Sequence, residues 1–276
     1  MCIRDSSKVG DLKGTDLTGA TIANTRVGIN LEDVILDQAE VSMVDFSDGA
    51  LKGVSFKETI ISSSSFNGGL IKSAKFLDSE LKDVTFNDYE IEESSFKNSL
   101  LSIKKADNLG FDGSKFDNVS INLESGELVT FIGGALEKST ISSEGKRARI
   151  SKVQLANSEM TINHDTIELD NLNGNENTLE TNATKINLNS VAGLTIKSLS
   201  QLVEDLTIKD SKALNISPNI YPGELNVTGT NQFGSISVRK SEIKEVEDFN
   251  SSELSIISSN LMQTKMRNVK AEAVLI

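Results

Sequence analysis

The sequence is poor in the residues on which disulfide scaffolds, zinc sites and nucleic-acid binders depend. Its 276 residues include 1 Cys, 1 His, 2 Pro, 2 Tyr and no Trp. One cysteine excludes a disulfide framework and a thiolate zinc site, and no apolar run approaches the roughly 18 residues of a membrane span. The net charge of −12 argues against direct nucleic-acid binding, because phosphate contacts need an excess of Lys and Arg.

Apolar residues make up only 37% of the chain, but they recur with a fixed period. Steps of five residues from Leu31 to Ile121 meet nineteen positions, and every one is apolar. The same period runs one phase earlier from Leu12 to Val27. A period of five fits neither a helix, at 3.6, nor a strand, at 2. It indicates a chain that turns a corner every five residues and points one large side chain inward on each side.

A second inward position lies two residues before each large one. From Ala39 to Ser99 this position is small or β-branched in every unit except the one with Tyr89. Lys, Asp, Glu, Asn and Ser dominate the three remaining positions. We therefore expect a narrow tube that takes one large and one small side chain from each unit, while the other three side chains face water.

This pattern resembles the pentapeptide-repeat family, whose units read roughly small, Asp or Asn, Leu or Phe, polar, Gly. Local matches are Thr15–Gly19, Val44–Asp48 and Ser64–Gly68, and the resemblance covers residues 9–141. The resemblance implies an all-β fold, a right-handed quadrilateral parallel β-helix with four pentapeptides in each coil.

A coil of four pentapeptides sorts the large inward residues into four columns. Two opposite columns are rich in Phe: Phe46, Phe66 and Phe86 on one side, and Leu36, Phe56, Phe76, Phe96 and Phe116 on the other. The two remaining columns are mainly aliphatic: Leu31, Leu51, Ile71, Ile91 and Phe111, and Val41, Ile61, Leu81, Leu101 and Ile121. Ala106 interrupts the first column, which predicts an irregular coil near Ser102–Gly110 with Phe111 filling the gap.

The second part, residues 142–276, loses the period and shows short apolar-x-apolar pairs such as Val153 and Leu155. Such pairs are typical of short strands with both ends inward. Spacings close to the length of one coil remain in two sets: Leu169, Leu188, Ile208 and Val227, and Ile196, Ile216 and Val238. We predict irregular β-helix coils continuous with the first part. A separate β-sandwich is the alternative, which the spacing disfavours.

The first residues resemble an artefact. Met1–Ser6 is similar to the adapter-derived leader of translated metagenomic reads, so residues 1–8 are interpreted as a leader and the natural N-terminus is expected to be missing. The location of the protein stays open between the cytoplasm and the surface of a bacterial cell.

No catalytic, metal or cofactor constellation emerges, and the sequence predicts neither a cofactor nor an enzyme. The single histidine, His164, is expected at the surface beside a turn. The one basic cluster contains Lys146, Arg147 and Arg149, with Asp165 as the nearest acidic candidate. Because β-helical polysaccharide lyases abstract protons with a basic residue, Arg147 or Arg149 with Asp165 and Asp170 would form a candidate site. A solvated loop is the favoured interpretation.

Acidic residues are concentrated in residues 9–125, which hold 20 Asp and Glu against 11 Lys and Arg. Some pentapeptide-repeat proteins imitate duplex DNA and bind DNA gyrase, and such imitation needs a continuous acidic face. The outward series from Glu32 through Lys52, Lys72 and Glu92 to Asp112 alternates in sign instead. It indicates an even coat of mixed charge.

We therefore predict a non-enzymatic structural or protein–protein interaction module with an unidentified protein partner. One alternative is a DNA-mimicking binder of gyrase or another topoisomerase. Another is an extracellular β-helix that adheres to or acts on polysaccharide, and a third is the passive stalk of a larger protein. The oligomeric state stays open, with an end-to-end dimer as one option.

Overall fold

The computed structural model describes residues 2–4, 12–27, 30–47, 49–198, 203–216, 222–228, 231–239, 242–247, 249–257, 265–267 and 270–275. All regular secondary structure in these residues is β-strand, and the strands pair in parallel. Contacts within the chain divide it into Met1–Gly145, called unit 1, and Lys146–Ile276, called unit 2. The chain is the all-β solenoid that the period predicts.

Unit 1 is built of short strands linked by corners. Its strands are β1 (Cys2–Arg4), β2 (Thr21–Arg26), β3 (Leu31–Glu32), β4 (Glu40–Asp45), β5 (Ala50–Lys52), β6 (Ser55–Lys57), β7 (Ile60–Ser62), β8 (Ser65–Lys72), β9 (Lys75–Leu77), β10 (Glu80–Glu92), β11 (Ser95–Lys97), β12 (Leu100–Asp112), β13 (Lys115–Asp117), β14 (Ser120–Ile132) and β15 (Ala135–Glu137). The next strand, β16, covers Thr140–Ser151.

The pairing register in unit 1 gives the coil length. Phe56 lies opposite Phe76, and Phe76 lies opposite Phe96, so each coil takes four pentapeptides. The coil that begins at Ile22 is one residue shorter, because Ile22 lies opposite Val41. This short coil accounts for the change of phase between Val27 and Leu31 in the sequence.

The large inward side chains stack from coil to coil. Rings in the two Phe columns lie 4.5 to 4.9 Å apart between centroids and within 13° of parallel. The aliphatic columns are equally buried, with at most 2% of each residue exposed in Leu51, Ile71, Ile91, Ile61, Leu81 and Leu101. The two sets of columns together fill the interior of unit 1 and hold successive coils in register.

The irregular coil lies where the break at Ala106 predicts it. The pairing of β10 with β12 shifts between Leu81 and Thr85, opposite Leu101 to Lys105. Ile103 is buried there and Lys104 is exposed, so the shift replaces an inward lysine by an isoleucine. Phe111 does not continue the interrupted Phe column. It lies edge-on to Phe96 and Phe116 of the opposite column instead.

Tyr89 occupies the interior position that is small or β-branched in the other units from Ala39 to Ser99. Its ring packs edge-on against Phe66 and Phe86, with centroids 5.6 and 5.7 Å away. Its hydroxyl donates a long hydrogen bond of 3.4 Å to the Gly49 carbonyl, and burial raises the pKa of the Tyr89 hydroxyl. A Cβ at Gly69 would lie 2.7 Å from this ring, so the absence of a side chain at Gly69 makes room for Tyr89.

Unit 2 has longer and less regular strands. They are β17 (Gln154–Ala156), β18 (Glu159–Asn175), β19 (Asn177–Thr181), β20 (Lys185–Ser198), β21 (Val203–Lys209), β22 (Lys212–Ile216), β23 (Pro222–Thr228), β24 (Asn231–Arg239), β25 (Glu242–Glu247), β26 (Phe249–Ile257), β27 (Lys265–Arg267) and β28 (Lys270–Leu275). These strands again pair in parallel, with the next partner about one coil length along the chain.

Along one column of unit 2, the spacing of one coil length seen in the sequence is also the pairing register of the strands. Leu169 lies opposite Leu188, Leu188 opposite Ile208, and Ile208 opposite Val227. Ile196 likewise lies opposite Ile216. Beyond Ile216 the register is irregular, because β22 and β24 pair with Lys212 opposite Gln232 and Leu214 opposite Phe233, with a register shift between these two pairs.

Candidate interaction surfaces

The basic cluster of unit 2 lies at the surface. Lys146, Arg147 and Arg149 are exposed on β16, and Asp165 is exposed on β18. Within the described residues no ion pair joins Arg147 or Arg149 to Asp165. The structure therefore places these four candidates on the outside of the coils without assembling them into a catalytic pair.

Asp170, the other carboxylate considered with the arginines, is held by neutral partners. It accepts hydrogen bonds from Ser151 Oγ at 3.2 Å and Asn189 Nδ2 at 2.5 Å. These partners belong to the coils before and after it. Asp170 is therefore placed as a link between coils.

His164 is buried rather than exposed, so the expectation of a surface histidine is wrong. Only 1% of His164 is accessible to solvent. Burial lowers its pKa to about 4, although a hydrogen bond to the Arg147 backbone and the charge of Asp165 favour the protonated form. Met160 and Ile162 are also buried, and the alternation along β18 therefore points the side chain of residue 164 inward as well.

Four lysines lie on one side of unit 1, which we call the lysine face. It consists of the residues before and after the stacked Phe in strands β6, β9, β11 and β13. The residues before the Phe are Ser55, Lys75, Ser95 and Lys115, and those after it are Lys57, Leu77, Lys97 and Asp117. One aspartate thus accompanies four lysines in a unit whose charge is otherwise acidic.

The lysines of this face are exposed, and two of them have acidic neighbours. Lys57 Nζ lies 3.3 Å from Glu58 Oε1, and Lys97 Nζ lies 3.3 Å from Asp117 Oδ2. Across the described residues, no acidic side chain forms an ion pair with Lys75 or Lys115. Exposed ion pairs are weak and screened by salt, so all four ammonium groups remain available to a ligand.

The adjoining side of unit 1 carries charges of both signs. It holds Glu90, Glu92 and Asp112 beside Lys72, whose Nζ lies 2.9 Å from Glu92 Oε2, and Lys52 Nζ lies 3.8 Å from Glu32 Oε1. Burial, together with the charges of Glu92 and Asp112, raises the pKa of Glu90. The outward series from Glu32 to Asp112 belongs to this adjoining side, and its carboxylates and lysines form ion pairs between coils.

A ladder of polar side chains follows one corner beside the lysine face. Asn118 Nδ2 donates to Asn98 Oδ1 at 3.0 Å, and Asn98 Nδ2 donates to Asp78 Oδ1 at 2.9 Å. All three residues have φ between 50° and 56°, the left-handed region that Asn and Asp tolerate better than most residues. Glu58 and Lys138 adopt the same conformation at this corner in neighbouring coils, so the conformation favours Asn and Asp without requiring them.

A groove of about 420 Å³ runs along this ladder. Its lining includes Asn98 and Asn118 on the ladder side and Leu100, Ser120 and Thr140 on the opposite side. Residues of successive coils lie on both sides, so the groove is parallel to the coil axis. Amides and hydroxyls lining such a groove suit a ligand rich in hydroxyl groups.

No group of three or more His, Cys, Asp or Glu that could hold a metal ion occurs among the residues that the structure describes. Over those residues there is also no helix of the length and apolarity required to cross a membrane.

Comparisons with known proteins find similarity only among solved structures. No protein-family model matches the chain, and no curated protein matches it. QnrB1, a plasmid-mediated fluoroquinolone resistance protein, is 10% identical with a TM-score of 0.23, over 63% of this chain and 89% of that chain. HetL, a pentapeptide-repeat protein of the cyanobacterium Nostoc, is 11% identical with a TM-score of 0.19 over the same shares.

A surface adhesin of Streptococcus pneumoniae, PfbA, is 12% identical with a TM-score of 0.26, over 99% of this chain and 83% of that chain. Scores at this level add nothing to the repeat and register of the chain itself. By its five-residue period, its coils of four five-residue units and its stacked ring columns, unit 1 is a parallel β-solenoid.

Proposed function

We propose that the protein is a non-catalytic interaction module that presents the outer faces of its coils to a macromolecular partner. The observation that carries this proposal is the lysine face, where exposed Lys57, Lys75, Lys97 and Lys115 follow one another on successive coils. The stacked Phe columns behind this face fix its backbone. The spacing of the outward side chains is therefore set before any partner binds, which lowers the ordering cost of binding.

The distribution of charge on unit 1 also distinguishes the proposed function from its alternatives. A DNA mimic needs a continuous acidic face, whereas Lys57, Lys75, Lys97 and Lys115 interrupt the acidic residues of unit 1 on four successive coils. No ion pair joins Arg147 or Arg149 to Asp165 within the described residues, so their arrangement does not support the alternative of action on polysaccharide at this place. An interaction module fits the arrangement of charge better than either alternative.

Face-specific capture tests the proposal. The full chain and variants that lose two charges of one face, such as K75Q/K115Q, are immobilised and exposed to extracts of the source cells. Bound proteins are identified by mass spectrometry and bound glycans by sugar analysis. A matched control, K82Q/K104Q, removes two exposed lysines outside the lysine face.

We expect at least one macromolecule to bind the full chain and to be lost from the variants of one face only. Every variant must unfold at the same temperature as the parent chain, so that loss of binding reports the surface. Capture of the same material by every face variant, or of nothing at all, would overturn the proposal.

A further inference from the structure

We propose that the lysine face binds a linear acidic polysaccharide, a two-fold 1,4-linked polyuronate, that lies parallel to the coil axis. The inference rests on the proposed function and assigns the class of partner. It comes from the placement of the lysines relative to one another, from the size of the face and from the groove beside it.

The four lysines form a zigzag with one charge on each coil. Lys57 follows its Phe, Lys75 precedes its Phe, Lys97 follows again and Lys115 precedes again. Successive coils are about 4.8 Å apart, so charges repeat about every 9.6 Å on each side of the face. A lysine therefore meets the ligand once per coil, on alternating sides.

A two-fold polyuronate has the complementary pattern. Each pyranose of a 1,4-linked chain advances the polymer by about the rise of one coil. Successive sugars in a two-fold chain are turned over, so their carboxylates point to alternate sides. An extended acidic peptide fits less well, because its side chains repeat on one side about every 6.6 Å and lose register with the lysines within two coils.

The size of the face also favours a linear ligand. Four strands of three residues make a surface on the order of 200 Å², far below the roughly 800 Å² that each partner of a stable protein complex buries. A globular protein or a second copy of this chain would need much more contact than this face provides. A single polymer chain laid along the axis would cover it completely.

Neighbouring groups on the face can contact the uncharged parts of a sugar. Half-buried Leu77 lies between Lys57 and Lys97 in its column and provides an apolar surface for a ring. The groove beside the face offers the amides of Asn98 and Asn118 and the hydroxyls of Ser120 and Thr140. These groups match the hydroxyls of a polymer that runs in the same direction.

Carboxylates also lie beside the face: Glu58 and Asp117 pair with Lys57 and Lys97, and Asp78 and Glu80 line the groove. The exposed pairs are weak, so uronate carboxylates can replace them, and charges more than about 8 Å away are largely screened at physiological salt. Duplex DNA is the poorer polyanion for this face, because it carries one charge per about 1.7 Å, far denser than one lysine per coil. Binding is expected to weaken as the salt concentration rises.

Calorimetric titration of the full chain tests the inference with three defined probes. They are a hexamer of β-1,4-linked glucuronic acid, the uncharged cellohexaose of the same linkage, and hexaglutamate. We expect binding of the glucuronic acid hexamer only. Its affinity should fall about fivefold or more in K75Q/K115Q, as expected for two exposed ion pairs, and less than about twofold in the matched K82Q/K104Q variant.

Three results would overturn the inference: equal binding of hexaglutamate, an equal loss in K82Q/K104Q, or no binding of the uronate at low salt. The first would assign an acidic polypeptide instead. Face-specific capture of another macromolecule together with no uronate binding would leave the proposed function standing and remove this inference alone. Absence of any face-specific capture would remove the proposed function itself.

Discussion

Phe76 stacks on Phe96 with ring centroids 4.5 Å apart and ring planes 4° from parallel. Each ring is buried between the rings of the coils before and after it. The neighbouring rings are held in place by the column and cannot fill the space that a smaller side chain would leave. We expect Phe76→Ala to lower the free energy of unfolding by about 3–5 kcal/mol, through lost burial and the cavity left behind. Urea unfolding followed by circular dichroism measures this loss.

Phe76→Leu is the matched control, because it keeps most of the apolar volume and removes the ring. It should cost less than about 1.5 kcal/mol. A loss below about 1 kcal/mol for Phe76→Ala would contradict a ring held between two others in the column.

A second prediction concerns Gly69 and Tyr89. A Cβ at Gly69 would lie 2.5 Å from the Gly49 carbonyl oxygen and 2.7 Å from the Tyr89 ring. The carbonyl belongs to the backbone of the preceding coil and cannot move without shifting that coil. We expect Gly69→Ala to destabilise the chain by about 1–3 kcal/mol, as overpacking does.

Tyr89→Phe should change the stability by less than about 1 kcal/mol, because the hydroxyl donates only one long hydrogen bond. Thermal unfolding of both variants separates the two effects. A Gly69→Ala variant as stable as the parent would show that the coils at this position can separate freely.

Glu93 offers a test of corner strain. It has φ of 49°, and it lies in a corner column where Gly53 and Gly113 have φ of 64° and 62°. The left-handed conformation costs a residue with a side chain about 1–2 kcal/mol, and glycine adopts it freely. We expect Glu93→Gly to raise the free energy of unfolding by up to about 1 kcal/mol, despite loss of its 3.8 Å contact with Lys72.

Ser95→Gly is the control for this prediction, because Ser95 is an exposed residue of strand β11. Glycine in a strand costs about 0.5–1 kcal/mol. Chemical denaturation of the two variants should therefore shift their midpoints in opposite directions. Midpoints that move the same way would exclude corner strain as the cause.

The interior of unit 1 could be predicted from the sequence because one position in five is apolar at every step from Leu31 to Ile121. A coil of four pentapeptides then places Phe56, Phe76 and Phe96 in one column, and the register of the strands does the same. The irregular coil could be located from Ala106 for the same reason. The packing of Phe111 could not be predicted from the sequence, since its ring can turn toward either of the two neighbouring columns.

The lysine face could not be predicted from a single outward column of the sequence. Lys75 and Lys115 are in one outward column and Lys57 and Lys97 in the other, so each column alone alternates lysine with an uncharged or acidic residue. The basic face appears only when both columns are placed on the same strands. The burial of His164 could have been predicted from the sequence, because alternation after Met160 and Ile162 points residue 164 inward.

The buried His164 makes the stability of unit 2 depend on pH. Its folded pKa of about 4 lies below the ordinary 6.5, so the unfolded chain binds a proton in a range where the folded chain does not. The stabilising effect is complete above pH 6.5 and is lost as the pH falls toward 4. By pH 4 the loss should reach about 3 kcal/mol.

His164→Gln isolates this effect, because glutamine does not titrate and can still donate a hydrogen bond toward the Arg147 backbone. Acidic side chains titrate equally in the parent chain and in the variant, so their contribution to the pH dependence of stability cancels in the comparison. Urea unfolding between pH 7 and pH 4 should therefore show a steeper loss of stability in the parent chain than in the variant. Parallel pH profiles would mean that the histidine is protonated in the folded state and reaches water, contrary to its burial.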